Sequence, residues 1–356
     1  LQPRDDLLQP CEWRGGFRHG NDRVDQRTRR ERVARCRHHR VRARCDVERS
    51  AGIRRRSGRD DPPERRQCRS LPLESFAARM TSSPPVLFSV ESGVAVITLN
   101  RPEVRNAFNA EMGSLVADAY RRCDTDDDIR AVVLTGTPPA FCAGADLSSG
   151  GDTFRARDES NFTTSGTDFR PWDVRKPVIA AINGHAIGIG LTLALQCDLR
   201  VMARDAKYGI VQVRRGVMGD AMSHWTLPRS VGMANAADIL LTGRTFDGDE
   251  ARSMGLCSRL TANDEVLDTA LDIARDIAIN VAPASAAASK RALWRALSST
   301  RDEIDALETE LHHRLMRLPD AREGVEAFVE KRNPRWQGRP NNVVGAEGLE
   351  PPTSSL

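Results

Sequence analysis

The sequence predicts an α/β fold in which β-strands alternate with helices. Apolar, β-branched runs stand at 94–99, 131–135, 177–182 and 199–203, and helical spacing of apolar residues follows several of them. From Ala221 onward the pattern is almost entirely helical. Strands that alternate with helices favour a sheet whose connecting turns recur along one edge.

The first predicted helix follows Asn109. Asparagine is a favoured N-cap because its side-chain oxygen accepts a hydrogen bond from a free N–H of the first turn. Apolar residues then recur three and four positions apart, which predicts one buried helix face. They are Met112, Leu115, Val116, Ala119 and Tyr120.

Two later strands each end in a turn of small residues. Residues 140–147 are Ala-Phe-Cys-Ala-Gly-Ala-Asp-Leu, and residues 180–190 are Ala-Ala-Ile-Asn-Gly-His-Ala-Ile-Gly-Ile-Gly. Small residues let a ligand approach the backbone, and the first N–H groups of the next helix are free to point at it. Side by side, two such turns would offer two donors to one developing negative oxygen, which is an oxyanion hole.

These turns, together with further motifs in the same order, resemble the crotonase superfamily, or enoyl-CoA hydratase/isomerase family. The supporting motifs are Ile97-Thr-Leu-Asn-Arg-Pro-Glu-Val-Arg-Asn-Ala-Phe108, Leu241-Thr-Gly-Arg-Thr-Phe246, Glu250-Ala-Arg-Ser-Met-Gly-Leu256 and Glu323-Gly-Val-Glu-Ala-Phe-Val-Glu-Lys-Arg332. The resemblance covers about residues 86–337. It implies a crotonase-like stacked ββα spiral with a C-terminal helical segment, assembled as a homotrimer or a dimer of trimers.

The resemblance also implies a substrate and a set of binding residues. The substrate is an acyl-CoA thioester, whose enolate oxygen would accept hydrogen bonds from the N–H groups of Ala145 and Ile189. CoA is part of the substrate, and neither a separate cofactor nor a metal is implied. Substrate-binding positions carried over from the family are Arg105, Ala107, Phe108, Ala143, Asp146, Leu147, Gly188, Phe328 and Lys331.

The acid/base residues depart from the family pattern. Hydratases of this family use two glutamates, at the positions of Thr192 and Gln212, and neither of these side chains can carry a proton near neutral pH. Asp220 matches the place where dienoyl-CoA isomerases and some related enzymes carry a working aspartate. Alternatively, Asp220 only caps a helix that starts at Ala221. His224 could assist it.

A single carboxylate suffices to move a proton from C2 to C4 of an acyl chain. The sequence therefore favours double-bond isomerisation with Asp220 as the acid/base, in the setting of fatty acid metabolism. Two alternatives stay open: enoyl-CoA hydration, and a non-catalytic acyl-CoA-binding protein.

The predicted organisation has four parts. Residues 80–270 form the crotonase core and 271–337 the helical segment. Residues 1–79 hold 22 Arg, no Lys and 12 acidic residues without apolar periodicity, which predicts a non-native or disordered extension ahead of a start at Met80. The alternative is an arginine-rich arm that binds nucleic acid. Residues 338–356 are Gly/Pro-rich and predict a disordered tail.

Composition indicates which binding partners and which cellular compartment to expect. The chain has a net charge of +4, but the extension alone carries more than this, so the remainder is mildly acidic and nucleic acid is not an expected partner. Eight cysteines without a CxxC pair suggest reduced thiols in a cytoplasmic protein. The apolar window 178–195 contains Asn183, His185 and three glycines, so we expect a buried strand, turn and helix rather than a membrane span.

Overall fold

The computed structural model of the protein describes residues 83–155 and 163–344. Nine strands lie in these two ranges: β1 (Val86–Glu91), β2 (Val94–Leu99), β3 (Ala131–Gly136), β4 (Ala140–Cys142), β5 (Val178–Ile182), β6 (His185–Ile187), β7 (Leu199–Ala203), β8 (Tyr208–Gly209) and β9 (Arg259–Thr261). Eight α-helices accompany them: α1 (Ala110–Thr125), α2 (Ile189–Ala194), α3 (Ser223–Thr242), α4 (Gly248–Ser253), α5 (Val266–Asn280), α6 (Pro283–Ala296), α7 (Arg301–Leu315) and α8 (Pro319–Glu330).

The strands form two sheets, and the chain alternates between them. The larger sheet has the order β1-β2-β3-β5-β7-β9, parallel except for the antiparallel pair β1 and β2. The smaller sheet is parallel, with the order β4-β6-β8. Each of β3, β5 and β7 is thus followed by a strand of the smaller sheet, which makes a spiral of stacked repeats. The predicted α/β class and spiral are confirmed.

Burial explains why the central strands are continuous apolar runs. Every residue of β3 and β5 is buried, so both faces of the large sheet are covered there. Helix α1 buries four of the five residues predicted for its apolar face, whereas Leu115 at the edge of that face is 37% exposed. Asn109 is its N-cap, and its Oδ1 accepts the Met112 N–H at 2.9 Å. The apolar window 178–195 is β5, β6 and α2, as expected.

The predicted boundary between residues 270 and 271 is wrong, because it falls inside α5. Val266, Ala270 and Ala274 recur every fourth residue and are fully buried in the main core. Helix α5 therefore covers the large sheet and belongs to the core. Periodicity alone did not say which surface this helix packs against. The separate helical segment begins with α6.

The predicted disordered tail is wrong for residues 338–344. This stretch contains a 3₁₀ turn at Pro340–Asn342, and Val343 and Val344 are each only 2% exposed in a small core with α6 and α7. The Gly/Pro content of the segment predicted disorder, but its two adjacent valines supply the apolar surface that packs against these helices. Residues 345–356 and the predicted extension 1–79 lie outside the described residues.

No helix within the two described ranges is long and apolar enough to cross a membrane.

Candidate active site

Two glycine turns lie side by side at the ends of β4 and β6. The two strands pair in parallel, with Cys142 opposite Ala186, so the turns that follow them are neighbours. Gly144 has φ +110°, and a Cβ placed on it would lie 3.2 Å from the Ile187 carbonyl oxygen. Gly188 has φ +55°. Both backbones adopt conformations that side chains disfavour, so the turns require glycine.

Each of the two turns has one N–H group without a hydrogen-bond acceptor in the part of the chain that the structure describes. The Asp146 N–H donates to the Phe108 carbonyl at 2.9 Å, and the Gly188 N–H donates to the Gly209 carbonyl at 2.8 Å. The N–H groups of Ala145 and Ile189, by contrast, have no acceptor among the described residues. Ile189 begins α2, where a helix leaves its first N–H groups unpaired.

The loop that precedes α1 is fastened to the first turn by its backbone. The Phe108 N–H donates to the Gly144 carbonyl at 2.8 Å, and the Ala143 N–H donates to the Arg105 carbonyl at 3.0 Å. The Arg105 side chain is exposed at this rim, and the Leu147 side chain is 48% exposed. The structure thus brings the predicted residues of both segments together around the turn.

Asn106 holds this loop, and sequence analysis missed it. The residue is fully buried with φ +56°. Its Nδ2 donates to the carbonyls of Ala140 (2.7 Å) and Thr137 (2.8 Å), and its Oδ1 accepts the Arg101 N–H at 2.8 Å. Asparagine tolerates the left-handed conformation better than other residues with a side chain. An asparagine four residues after a Pro in a polar loop was the available signal.

Asp146 is an anchoring anion. Its carboxylate accepts the Ser148 N–H at 3.0 Å and pairs with the Arg101 guanidinium at 2.8 Å. These contacts, with the Ser148 bond first, hold the pKa of Asp146 at about 2. Arg101 also donates to the Ala107 carbonyl at 2.7 Å. The pair therefore fixes both sides of the loop.

Asp220 points at helix α2. The Thr192 hydroxyl donates to its Oδ1 at 2.6 Å, and Thr192 is fully buried three residues after Ile189. Burial raises the pKa of Asp220 above its ordinary value. The Thr192 hydroxyl and the nearby Gln212 amide offset part of this rise because they favour the charged form.

Asp220 does not cap a helix that starts at Ala221. Helix α3 begins at Ser223, and two residues with positive φ intervene: Ala221 (+48°) and Met222 (+60°). Such a conformation costs about 1–3 kcal/mol per residue and persists only when its surroundings impose it. Here the Ala221 N–H donates to Thr164 at 2.8 Å, and the Ala221 carbonyl accepts from Gln196 at 2.9 Å. The strained turn directs the carboxylate toward α2.

Gln212 lies against the second turn. It is 6% exposed, and its amide atoms lie 3.5–3.6 Å from where a Cβ on Gly188 would be. In the described structure neither amide atom makes a hydrogen bond of normal geometry. Cys142, under the turns, is no nucleophile, because burial raises the pKa of its thiol to about 12. His224 is exposed near Asp220.

Phe328 and Lys331 are not brought to the turns within this chain. Phe328 is 84% exposed on α8 and Lys331 is exposed where that helix ends. The hydrogen bonds that α8 side chains make in the described chain all go to residues between 320 and 338. Within residues 83–155 and 163–344, no group of three His, Cys, Asp or Glu residues could hold a metal ion.

Comparison with known proteins shows which family the chain resembles. A family model described as enoyl-CoA hydratase/isomerase matches residues 89–339. A probable enoyl-CoA hydratase of Mycobacterium leprae is 37% identical over 251 residues, which cover 69% of this chain and 95% of that protein. The 1,2-epoxyphenylacetyl-CoA isomerase of Escherichia coli is 34% identical over 265 residues, 71% of this chain and 98% of that protein. The crystal structure of a probable enoyl-CoA hydratase/isomerase from Mycobacterium abscessus, 48% identical, has a TM-score of 0.70 and covers 71% of this chain and 99% of its own.

Proposed function

Because the chain belongs to the enoyl-CoA hydratase/isomerase family, we propose that it moves a double bond in an acyl-CoA thioester through an enolate, with Asp220 as the single acid/base. The observation that carries this proposal is the 2.6 Å hydrogen bond between Thr192 and Asp220. It joins the Asp220 carboxylate to the helix that starts at the second turn. The family's two glutamate positions hold Thr192 and Gln212 instead.

The reaction needs a place for negative charge and a carrier for one proton. The thioester oxygen accepts hydrogen bonds from the N–H groups of Ala145 and Ile189, which stabilise the charge that develops on it. The Asp220 carboxylate removes the C2 proton of a 3-enoyl-CoA, and the electrons pass to the thioester oxygen. Asp220 then returns the proton to C4, which leaves a 2-enoyl-CoA. The raised pKa of Asp220 supports this double role, since an acid/base works best when its pKa approaches the ambient pH.

The rest of the substrate would lie on the rim of the first turn. Backbone groups of Ala107, Phe108, Ala143, Asp146 and Leu147 border the place of the CoA moiety. Arg105 would pair with a phosphate, because its guanidinium is exposed at this rim. Gly188 allows close approach at the second turn. Phe328 and Lys331 would contact CoA from another copy of the chain, in the proposed trimer or dimer of trimers. We also propose a cytoplasmic enzyme.

Hydration is the second candidate, and the names of relatives such as the M. leprae protein favour it. It would require Asp220 to handle both protons and the Gln212 amide to hold the attacking water. The product separates the two reactions. Hydration of a 2-enoyl-CoA gives a 3-hydroxyacyl-CoA, whereas isomerisation changes no mass.

Asp220→Asn tests the assignment. Asparagine has the same size and keeps an oxygen that can accept from Thr192, but it cannot take a proton. We expect exchange of the C2 protons of an acyl-CoA into deuterated water, followed by NMR, to fall about a hundredfold to ten-thousandfold. Binding of the ligand should change little. Undiminished exchange in the variant would exclude Asp220 as the base, and an absence of exchange in the parent with every acyl-CoA would favour the non-catalytic binder.

A further inference from the structure

Thr192 has a polar group in a place that packing alone does not explain. The side chain is fully buried between Leu191 and Leu193, which are also buried, and valine has nearly the same shape. A buried hydroxyl is costly unless it is hydrogen-bonded. The hydrogen-bond partner of the Thr192 hydroxyl must therefore explain why a polar group is present here.

The hydroxyl has two acceptors in reach and one proton to donate. The Ile189 carbonyl lies at 3.3 Å and Asp220 Oδ1 at 2.6 Å. Bonds from a hydroxyl to a carboxylate are about 2.5–2.7 Å long and roughly twice as strong as neutral ones. The proton of Thr192 thus goes to Asp220.

This bond leaves the two oxygens of the carboxylate unequal. Oδ1 is occupied by Thr192, and the strained turn at Ala221 and Met222 fixes the backbone behind it. Rotation of the carboxylate about its Cβ–Cγ bond would break the Thr192 bond. Among the described residues Oδ2 accepts no hydrogen bond of normal geometry, from the nearby Gln212 amide or any other group, so it is the oxygen that remains for a substrate.

We propose that Thr192 is a positioning residue, whose hydroxyl holds Oδ1 of Asp220 so that Oδ2 alone exchanges protons with the substrate. The inference rests on the proposed function in its kinetic part only, since the hydrogen bond exists without a substrate. Thr192 stands where the family has a glutamate. Its hydroxyl cannot replace that carboxylate as an acid/base, but it supports the carboxylate of Asp220.

Other charged and titratable groups around Asp220 could also shift its pKa. His224 lies on α3 and, when protonated, favours the carboxylate, and the Cys142 thiol lies on β4. Gln212 carries no charge. None of these groups is altered by a change at position 192, so the effect of that change on Asp220 reports the hydroxyl.

The experiment compares Thr192→Val, which removes the hydroxyl at constant volume, with Thr192→Ser, which keeps it and removes a methyl group. The first readout is the titration of the Asp220 carboxyl by carbon NMR in protein labelled at aspartate, with Asp220→Asn to assign the signal. We expect a higher pKa in the valine variant than in the parent, and a value near the parent's in the serine variant. An unchanged pKa in the valine variant would overturn the proposal.

The second readout is kcat and KM on a 3-enoyl-CoA across pH. The valine variant should lose about tenfold to a hundredfold in kcat with little change in KM, and its acid limb should move to higher pH. The serine variant should regain most of kcat. Equal losses in both variants would indicate a packing role and overturn the proposal. If the NMR shift appears but the parent turns over no acyl-CoA, the positioning contact holds and the proposed function fails.

Discussion

Replacing Ile189 with proline would remove one of the two N–H groups that have no acceptor among the described residues, together with a partly buried side chain. Ile189 is the first residue of α2, and proline is favoured at that position because its fixed φ suits the helix and its N–H is not needed there. The preceding Gly188 has φ 55° and ψ −122°, far from the right-handed helical region that a following proline disfavours. The chain therefore accepts proline at this point.

The structure separates the effect on catalysis from the effect on stability. The Ile189 N–H has no acceptor in the described protein, so its loss breaks no hydrogen bond of the folded state. If this N–H stabilises an enolate, its removal should cost about 3 kcal/mol of transition-state stabilisation, or at least a hundredfold in kcat. Ile189→Ala is the matched control, because it trims the same side chain and keeps the N–H.

The assay is C2 proton exchange of an acyl-CoA in deuterated water, with thermal unfolding measured on the same samples. We expect the alanine variant to exchange within a few-fold of the parent and the proline variant to exchange at least a hundredfold more slowly. Both variants should unfold at similar temperatures. A folded proline variant that exchanges as fast as the alanine variant would refute the role of this N–H.

Three further predictions follow from contacts described above. Asn106→Ala removes three hydrogen bonds of a fully buried side chain, so it should lower the free energy of unfolding by ~3 kcal/mol in chemical denaturation, and a near-neutral effect would contradict the network. Gly190→Ala should destabilise the fold by about 1–3 kcal/mol, because the new Cβ would lie 2.5 Å from the Cys142 carbonyl oxygen; a parent-like melting temperature would show that α2 can shift. Asp220→Asn should melt at a higher temperature than the parent at pH 7, because burial raises the folded-state pKa of Asp220 and deprotonation then costs stability. That gain should vanish as the pH falls below the ordinary aspartate value of 3.8, and a gain that is independent of pH would have another cause.

Local sequence signals predicted four strands of the larger sheet and the two turns, but not the other five strands. The runs at 94–99 and 199–203 match β2 and β7 residue for residue, because apolar β-branched runs bounded by turn residues encode strands locally. The turns at Gly144 and Gly188 were visible for the same reason. Their proximity was not, since it depends on the pairing of β4 with β6 across some forty residues.

The features that the sequence did not predict depend on contacts between residues far apart in the chain. Aspartate before a helix suggested an N-cap at Asp220, but the Ala221 N–H donates to the Thr164 carbonyl and the Ala221 carbonyl accepts from Gln196. These two bonds hold Ala221 in a left-handed conformation, and the helix starts at Ser223. The burial of Val343 and Val344 likewise depends on helices some thirty to sixty residues away. Neither feature has a local signature.

The unpaired N–H groups at Ala145 and Ile189 belong to the backbone, and this affects how such a site can evolve. Every amino acid except proline supplies the same N–H, so point mutations at these two positions rarely delete it. The parallel pairing of β4 and β6, rather than any side chain, places the two turns next to each other. Positions 192, 212 and 220 are free to vary around that constant pair. If the two N–H groups form the proposed oxyanion hole, substitutions at these three positions would change the proton transfer while the charge-stabilising N–H groups stay in place.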